Sequence, residues 1–377
     1  MPTATLSPST LATPSSAADR LRQLGYDPDS LLAHFQSQGY VIVDGVLSST
    51  SDSSLGLESL RSCAQEAIQL TRSGDWTARR VVGNAFPPFD RDNRDSWGVQ
   101  HIMNPQLDAV AQRARLRGDD GHASTPSSST PARSLSKTFQ DFYSSSPLLD
   151  IASLLVGAPE ERMQMELFNL LINPEAHSYF ALSWHRDDIR PDVDEAEELQ
   201  RLARPTYGVQ FNTALYDDDC LFIVPGTHRR PRTAEERKAN MAKAPPAIPI
   251  DGEGDDRRAE LEKPDGGWEV DPPQTLRVRL KAGQTAFYSQ RILHRASYLA
   301  SRKRATLHAC YGDIGDDEAG EAGGAERARN ILQHGVEWMR DEEFGASLPP
   351  RLRPMWNNLI RTEKKWAEKD LGYSLDN

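Results

Sequence analysis

The sequence contains only three cysteines in 377 residues. Cys63, Cys220 and Cys310 are widely separated and show no spacing typical of a metal-binding cysteine cluster. An odd number of scattered cysteines argues against a disulfide framework. We therefore expect a reducing compartment, in which these side chains serve as small buried hydrophobic residues.

The chain also lacks any apolar run long enough to span a bilayer, and it has no excess of positive charge. Its formal net charge is -11 at pH 7. A nucleic-acid-binding surface needs a basic face to meet the phosphates, and a membrane-spanning helix needs about 20 apolar residues. We expect neither a nucleic-acid partner nor a membrane span.

Targeting signals are missing from both ends of the sequence. Residues 1–18 are rich in Ser, Thr, Pro and Ala and carry no charged side chain. They lack the apolar core of a secretory signal and the early arginines of a transit peptide. The final residues, 374–377, do not match a peroxisomal signal. These features predict a cytoplasmic protein with a disordered N-terminal tail.

The length suits one large domain with insertions. Turn signals and alternating patterns predict an α+β fold: a double-stranded β-helix (jelly-roll, cupin-like) core with flanking N- and C-terminal helices. The predicted organisation is a disordered tail at 1–20, a main domain at 21–312 with inserted loops at 117–134 and 233–273, a linker at 313–325, and a C-terminal helical extension at 326–377.

The stretch Trp184-His185-Arg186-Asp187 carries the strongest chemical signal. In a β-strand or its frayed end, His185 and Asp187 point to the same face. Together with the distant His294 they would form a 2-His-1-carboxylate triad, which holds Fe(II) and leaves coordination positions open. A His-x-Asp motif alone is common by chance, and a structural histidine is the usual alternative.

The residues around His294 strengthen this interpretation. Thr285 to Tyr288 is rich in strand-forming residues, and a basic cluster beginning at Arg302 opens another strand-like run after His294. A dicarboxylate that chelates iron through one end leaves its other carboxylate buried. Arginine meets such a group better than lysine, because its planar guanidinium can bind both oxygens.

At these residues the chain resembles the phytanoyl-CoA dioxygenase family of Fe(II)- and 2-oxoglutarate-dependent oxygenases. The matching features are His185-x-Asp187, His294 with an arginine ten positions later, the turn Val224–His228, and the N-terminal stretch Phe35–Leu47. The resemblance covers residues from about 30 to about 312.

The resemblance implies that His185, Asp187 and His294 bind Fe(II), with 2-oxoglutarate as co-substrate and O2 as oxidant. The family's 2-oxoglutarate arginine usually stands eleven residues after the distal histidine, where this chain has Ala305. We assign that role to Arg304, with Arg302 as the alternative on the same strand face. Asn169 is a candidate donor to a co-substrate carboxylate, or an amide satisfied by neighbouring backbone.

The resemblance also implies the reaction. A carboxylate at Asp187 favours hydroxylation or desaturation, because halogenating relatives have a small residue there that makes room for chloride. The expected function is oxidation of a small organic substrate, such as a lipid, an acyl chain or a secondary metabolite, with release of succinate and CO2. Two alternatives stay open: a cupin-like metal- or ligand-binding protein without oxygenase activity, and a non-haem iron oxygenase that does not use 2-oxoglutarate.

An irregular, aromatic segment offers a candidate substrate lid. Residues Arg79 to Pro105 contain Trp97 and His101, and we expect one of these two to face the cavity above the metal. Loops of this kind often carry substrate contacts. The sequence identifies neither the substrate nor the oligomeric state, and a homodimer is among the options.

Overall fold

The computed structural model of the chain describes residues 16–47, 55–80, 94–118, 133–204, 208–250, 267–315, 320–332 and 334–369. Its strands are β1 (Tyr40–Val43), β2 (Gly98–Val99), β3 (Met163–Gln164), β4 (Phe168–Ile172), β5 (His177–Ala181), β6 (Gly208–Ala214), β7 (Leu221–Val224), β8 (Ile248–Pro249), β9 (Leu276–Arg277), β10 (Thr285–Ser289), β11 (Leu293–Leu299) and β12 (Ala305–Asp313).

Its α-helices are α1 (Ala17–Gln23), α2 (Pro28–Gln38), α3 (Leu57–Ser73), α4 (Gln106–Gly118), α5 (Leu135–Tyr143), α6 (Leu148–Val156), α7 (Glu195–Leu202), α8 (Ala234–Met241), α9 (Gly320–Leu332), α10 (Glu342–Ser347) and α11 (Leu352–Trp366). None of the helices in this part of the chain combines the length and the hydropathy that crossing a bilayer requires.

Two antiparallel sheets form the centre of the molecule. The larger sheet has the order β1-β10-β6-β12-β4-β2, with β3 beside β12, and the smaller has the order β8-β5-β11-β7-β9. From β4 to β7, and again from β10 to β12, consecutive strands alternate between the two sheets. This alternation is the topology of a double-stranded β-helix, so the predicted jelly-roll core is confirmed.

The alternating side chains of the larger sheet explain where its core lies. On β12, Leu307, Ala309 and Tyr311 belong to the main apolar cluster, together with residues of the helices. The intervening His308 lines a cavity between the two sheets instead. One face of the sheet is therefore packed under helices, and the other face is available for a site.

Helices α5 and α6 follow each other closely in the chain, but they are separate. Pro147 stands at the N-terminal end of α6. Proline has no backbone N–H to continue a preceding helix, but it is well tolerated at the start of one. Helix α3 begins after Gly56.

The stretch from Met163 to Ile172 forms two short strands, β3 and β4, with a break between them. The backbone N–H of Met165 donates to the carbonyl of Met355 in α11, at 3.1 Å. The N–H of Glu166 donates to the Tyr143 hydroxyl, at 3.2 Å. Because these two N–H groups bond to helical residues, they do not bond to a neighbouring strand, and strand pairing is interrupted between β3 and β4. The alternation of residue types in the sequence does not reveal this interruption.

The described parts of the predicted inserted loop 233–273 include residues that pack against the barrel. Trp268 is buried in an apolar cluster with Trp184 and Phe222. Asp271 accepts hydrogen bonds from Trp184 Nε1 at 2.8 Å and Arg295 Nε at 2.8 Å. Both donors belong to the barrel, and the buried Arg295 needs this carboxylate as its counter-charge. Residues 251–266 lie outside the described part.

Both ends of the chain add helices to the same core. Helix α1 begins at Ala17, inside the stretch predicted as a tail, and residues 1–15 lie outside the described part. Helix α9 begins inside the predicted linker 313–325, and Ile331 and Leu359 join the main apolar cluster. The predicted loop 117–134 mostly lies outside the described residues, and α4 extends into its beginning.

Candidate metal centre and its cavity

A cavity of about 70 Å³ lies between the two sheets. It is lined by Arg80, Trp97, Leu171, Leu182, His185, Asp187, Gln210, Asn212, Leu221, Tyr288, His294, Arg295, Ala296, Tyr298, Arg304 and His308. The three candidate metal ligands and the candidate 2-oxoglutarate arginine are among these residues. Sequence positions more than a hundred residues apart therefore face one cavity.

The structure brings His185, Asp187 and His294 together. One ligand atom from each lies within 4.8 Å of the other two. The Nε2 atoms of His185 and His294 are 3.6 and 3.8 Å from Asp187 Oδ1. A paired backbone interaction holds the two histidines side by side, because the N–H of each donates to the carbonyl of the other, at 2.9 and 3.0 Å.

Backbone carbonyls orient both imidazoles. His185 Nδ1 lies 2.8 Å from the carbonyl of Ser183, and His294 Nδ1 lies 2.9 Å from that of Ile292. A carbonyl oxygen only accepts hydrogen bonds, so each Nδ1 carries the proton and each Nε2 presents its lone pair to the cavity. Two oriented imidazoles and one carboxylate fit an Fe(II) ion that keeps open positions.

The alternation along Trp184–Asp187 explains why the ligands share a face. Trp184 and Arg186 point away from the cavity into the protein body. The guanidinium of Arg186 is fully buried, donates to the Thr227 carbonyl at 2.8 Å and lies 3.2 Å from Glu198. With alternate residues held on the opposite side, His185 and Asp187 must project into the cavity.

The electrostatics of the triad are those of groups removed from water. Burial lowers the pKa of His185 well below its ordinary value, and the neighbouring His294 adds to this effect. A neutral imidazole is the form that binds metal. Burial raises the pKa of Asp187, although His294 and a hydrogen bond from Gln210 act in the opposite direction. A bound dication would favour the ionised carboxylate.

Arg304, directly before β12, lines the same cavity. Its Nε donates to Asp218 Oδ2 at 2.8 Å, and its guanidinium lies over the ring of Tyr298 at 4.4 Å. Burial alone would raise the pKa of Asp218, but the charge and hydrogen bond of Arg304 lower it. The Nη1 atom of Arg304 is buried and has no hydrogen-bond partner in the described part of the chain.

Two other candidates lie outside the cavity. Arg302 is about half exposed and forms an ion pair with Asp219, and it does not line the cavity. Asn169 does not line it either. Its Oδ1 accepts a hydrogen bond from the backbone N–H of His101, at 3.3 Å. This corresponds to the interpretation of Asn169 as an amide satisfied by backbone.

The two aromatic residues of the predicted lid have different positions. Trp97 is buried and lines the cavity, with its ring 6.0 Å from that of Phe180. His101 does not line the cavity, and its ring packs against Trp338 at 5.7 Å. Residues 81–93, within the predicted lid, lie outside the described part.

Sequence reasoning missed several polar residues of the cavity: Arg80, Gln210, Asn212, Tyr288 and His308. Gln210 donates to Asp187 Oδ2, and His308 Nδ1 lies 2.8 Å from Asn212 Oδ1. The available signal was polar residues at alternate positions of otherwise apolar strands. Gln210 and Asn212 have this spacing on β6, and Arg304, directly before β12, is an even number of positions from His308.

A family model described as Phytanoyl-CoA dioxygenase (PhyH) matches residues 35–306. No protein with curated annotation is significantly similar to the chain in sequence.

Similar solved structures include AviO1 from Streptomyces viridochromogenes Tue57, with 17% identity over 76% of this chain and 95% of that chain, at a TM-score of 0.43. Another is the non-heme alpha ketoglutarate dependent carbocyclase SnoK from nogalamycin biosynthesis, with 17% identity over 80% and 88% of the two chains, at 0.42. EctD from S. alaskensis with 2-oxoglutarate and 5-hydroxyectoine has 12% identity over 80% and 78%, at 0.41.

Proposed function

The chain belongs to the phytanoyl-CoA dioxygenase family of Fe(II)- and 2-oxoglutarate-dependent oxygenases, and from this premise we propose that it hydroxylates or desaturates a small organic substrate, such as a lipid, an acyl chain or a secondary metabolite. One observation carries the proposal: His185, Asp187, His294 and Arg304 all line a single buried cavity. Members of the family need a metal triad and a carboxylate anchor within reach of one co-substrate.

In this proposal His185, Asp187 and His294 hold Fe(II). When bound, Fe(II) with 2-oxoglutarate and O2 supplies an oxidant able to cleave a C–H bond, with succinate and CO2 as co-products. The protein's part is to orient the ligands. The carbonyls of Ser183 and Ile292 fix the two imidazoles, and Gln210 holds one oxygen of Asp187.

Arg304 binds the distal carboxylate of 2-oxoglutarate in this proposal. Its Nη1 has no other partner among the described residues, and its charge is held in place by Asp218 at 2.8 Å. A buried guanidinium that is already fixed loses little freedom when it binds a carboxylate. Asp187 supports hydroxylation or desaturation over halogenation, since its carboxylate occupies the place a chloride would need.

Decarboxylation of 2-oxoglutarate in the absence of substrate tests the proposal. The purified protein, loaded with Fe(II) in air-saturated buffer, should form succinate slowly, and the His185→Ala variant should not. If the protein binds Fe(II) but forms no succinate, it is a metal-binding protein without this activity. O2 consumption that does not depend on 2-oxoglutarate would identify an iron oxygenase of another type.

A further inference from the structure

Three arginines line the cavity, and two of them are already paired with carboxylates. Arg295 is bound by Asp271 at 2.6 Å, and Arg304 by Asp218 at 2.8 Å. In the described part of the chain, the third, Arg80, forms no ion pair. Its guanidinium lies over the ring of Trp97 at 5.2 Å, and its Nε is buried without a hydrogen-bond partner.

The position of Arg80 is fixed by the edge of the larger sheet. Its backbone N–H donates to the carbonyl of Gly98 at 2.9 Å, and Ser96 Oγ donates to its carbonyl at 3.2 Å. A Cβ on Gly98 would lie 2.8 Å from the Cβ of Arg80, so a glycine is needed at this crossing. The side chain therefore starts from a defined place beside Trp97.

The charge of Arg80 acts inside the cavity. His308 is a cavity residue whose pKa is lowered to about 3, first by burial and next by the charge of Arg80. A cation in a confined site attracts an anion more strongly than one in open water does. A guanidinium is also well shaped for the two oxygens of a carboxylate.

We propose that Arg80 is an anion-binding residue of this cavity, and that it binds a carboxylate of a small molecule held beside the metal ligands. The proposal rests on the proposed function and extends it. The carboxylate has two possible sources: the end of 2-oxoglutarate that lies at the metal, or an acid group on the substrate. Both sources share the chemistry that Arg80 recognises.

The variant Arg80→Gln removes the charge and keeps a hydrogen-bond donor, and Arg80→Lys restores the charge. Arg79→Gln is the matched control, because the preceding arginine does not line the cavity. The first measurement is calorimetric titration of 2-oxoglutarate into each Fe(II)-loaded protein without oxygen. The second is titration of hexanoate against hexanamide, and benzoate against benzamide, into the proteins loaded with Fe(II) and 2-oxoglutarate.

If Arg80 binds the co-substrate, Arg80→Gln weakens 2-oxoglutarate binding by about 10- to 100-fold, the range for a lost hydrogen bond to a charged group. Arg80→Lys should recover part of this loss, and Arg79→Gln should bind normally. If Arg80 binds a substrate acid, 2-oxoglutarate affinity is unchanged, and Arg80→Gln instead loses a preference for the acids over their amides.

The proposal is overturned if Arg80→Gln changes neither the affinity for 2-oxoglutarate nor the preference for acids over amides. It is also overturned if 2-oxoglutarate affinity does not depend on Arg80 and the wild-type protein has no acid preference to lose. Failure of the wild-type protein to bind Fe(II) and 2-oxoglutarate would count against the proposed function instead. In that event, the same acid and amide pairs titrated into the metal-free proteins decide the role of Arg80.

Discussion

The side chains of Trp184 and Arg186 fix the orientation of the neighbouring metal ligands, His185 and Asp187. Both side chains are fully or almost fully buried on the far side of the segment, where Asp271 and the Thr227 carbonyl accept their hydrogen bonds. The cavity side of the segment can therefore carry polar groups without loosening the backbone. Removing a ligand side chain should leave this anchoring intact.

The first prediction is that His185→Ala or Asp187→Ala weakens Fe(II) binding by more than about 100-fold, since even residues that only support a ligand commonly contribute 10- to 100-fold. The metal content of the purified variants, and anaerobic titration with Fe(II), measure this. His34→Ala, at an exposed histidine, is the matched control. Normal iron binding in both ligand variants would contradict the assignment.

The second prediction separates the two candidate arginines. Arg304→Ala should raise the apparent KM for 2-oxoglutarate steeply, because a buried charge-assisted contact is lost. The loss of binding free energy should be roughly 2–4 kcal/mol. Arg302→Ala should have little effect, since that side chain is about half exposed and pairs with Asp219. The reverse result would move the co-substrate site to Arg302.

Arg304→Ala also leaves Asp218 buried at 5% side-chain exposure without its partner. Breaking such a pair typically lowers the free energy of unfolding by about 3–5 kcal/mol. A variant that also carries Asp218→Asn should recover much of that stability without recovering 2-oxoglutarate affinity. This combination separates the structural role of the pair from its role in binding.

Among the elements, the run Thr285 to Tyr288 was predictable from its strand-forming residues, and it lies in β10. In the ligand segment, alternation correctly predicted that His185 and Asp187 share a face, and the family resemblance implied the jelly roll. The cavity residues Arg80 and His308 were not predictable in the same way. They lie near the metal ligands only because of strand register and the packing of the two sheets. Neither can be read from the residues next to them in the sequence.

The edge segment that carries Trp97 leads to the third prediction. Trp97→Ala should uncouple the reaction, so that succinate forms in excess of oxidised product, because the wall of the cavity is opened to water. The ratio of succinate to product, measured once a substrate is known, reports this. Trp76→Ala is the control: it also removes a buried tryptophan, but one that does not line the cavity. Unchanged coupling would remove the lid role from this segment.

The fourth prediction concerns helix α9 and its buried Arg327. Arg327 Nε lies 2.6 Å from Glu166 Oε1, and its Nη1 donates to Gln290 at 2.9 Å. Arg327→Met leaves the Glu166 carboxylate buried without its counter-charge, and it should lower the free energy of unfolding by about 3–5 kcal/mol. Adding Glu166→Gln should recover part of the loss. Urea unfolding of the two single variants and the double variant measures the coupling, and additive effects would contradict it.

At the scale of the whole molecule, the C-terminal helices close over the barrel. Met165, between β3 and β4, donates its N–H to Met355 of α11, and Ile331 of α9 joins the main core. His101 also contacts the C-terminal region, because its ring packs against that of Trp338 at 5.7 Å. The fold therefore depends on contacts between distant parts of the sequence.

The fifth prediction concerns the pH dependence of stability, which follows from the burial of His101. Burial lowers the pKa of His101 to about 4, and the nearby backbone of His334 and the charge of Glu337 offset part of this effect. Between pH ~6.5 and about 4 the unfolded chain binds a proton on this imidazole that the folded protein excludes. Stability should be greatest above pH ~6.5 and fall as the pH drops through this window, by up to about 1.4 kcal/mol per pH unit for this group.

Urea unfolding at several pH values between 7.5 and 4.5 measures the slope. His101→Asn is the informative variant, because asparagine tolerates the positive φ of +59° at this position and does not titrate in this range. Its stability should fall less steeply with acid than that of the wild-type protein. Equal slopes for the His101 variant and the wild type would mean that this imidazole accepts its proton within the folded state, and that the C-terminal closure is open to water at this point.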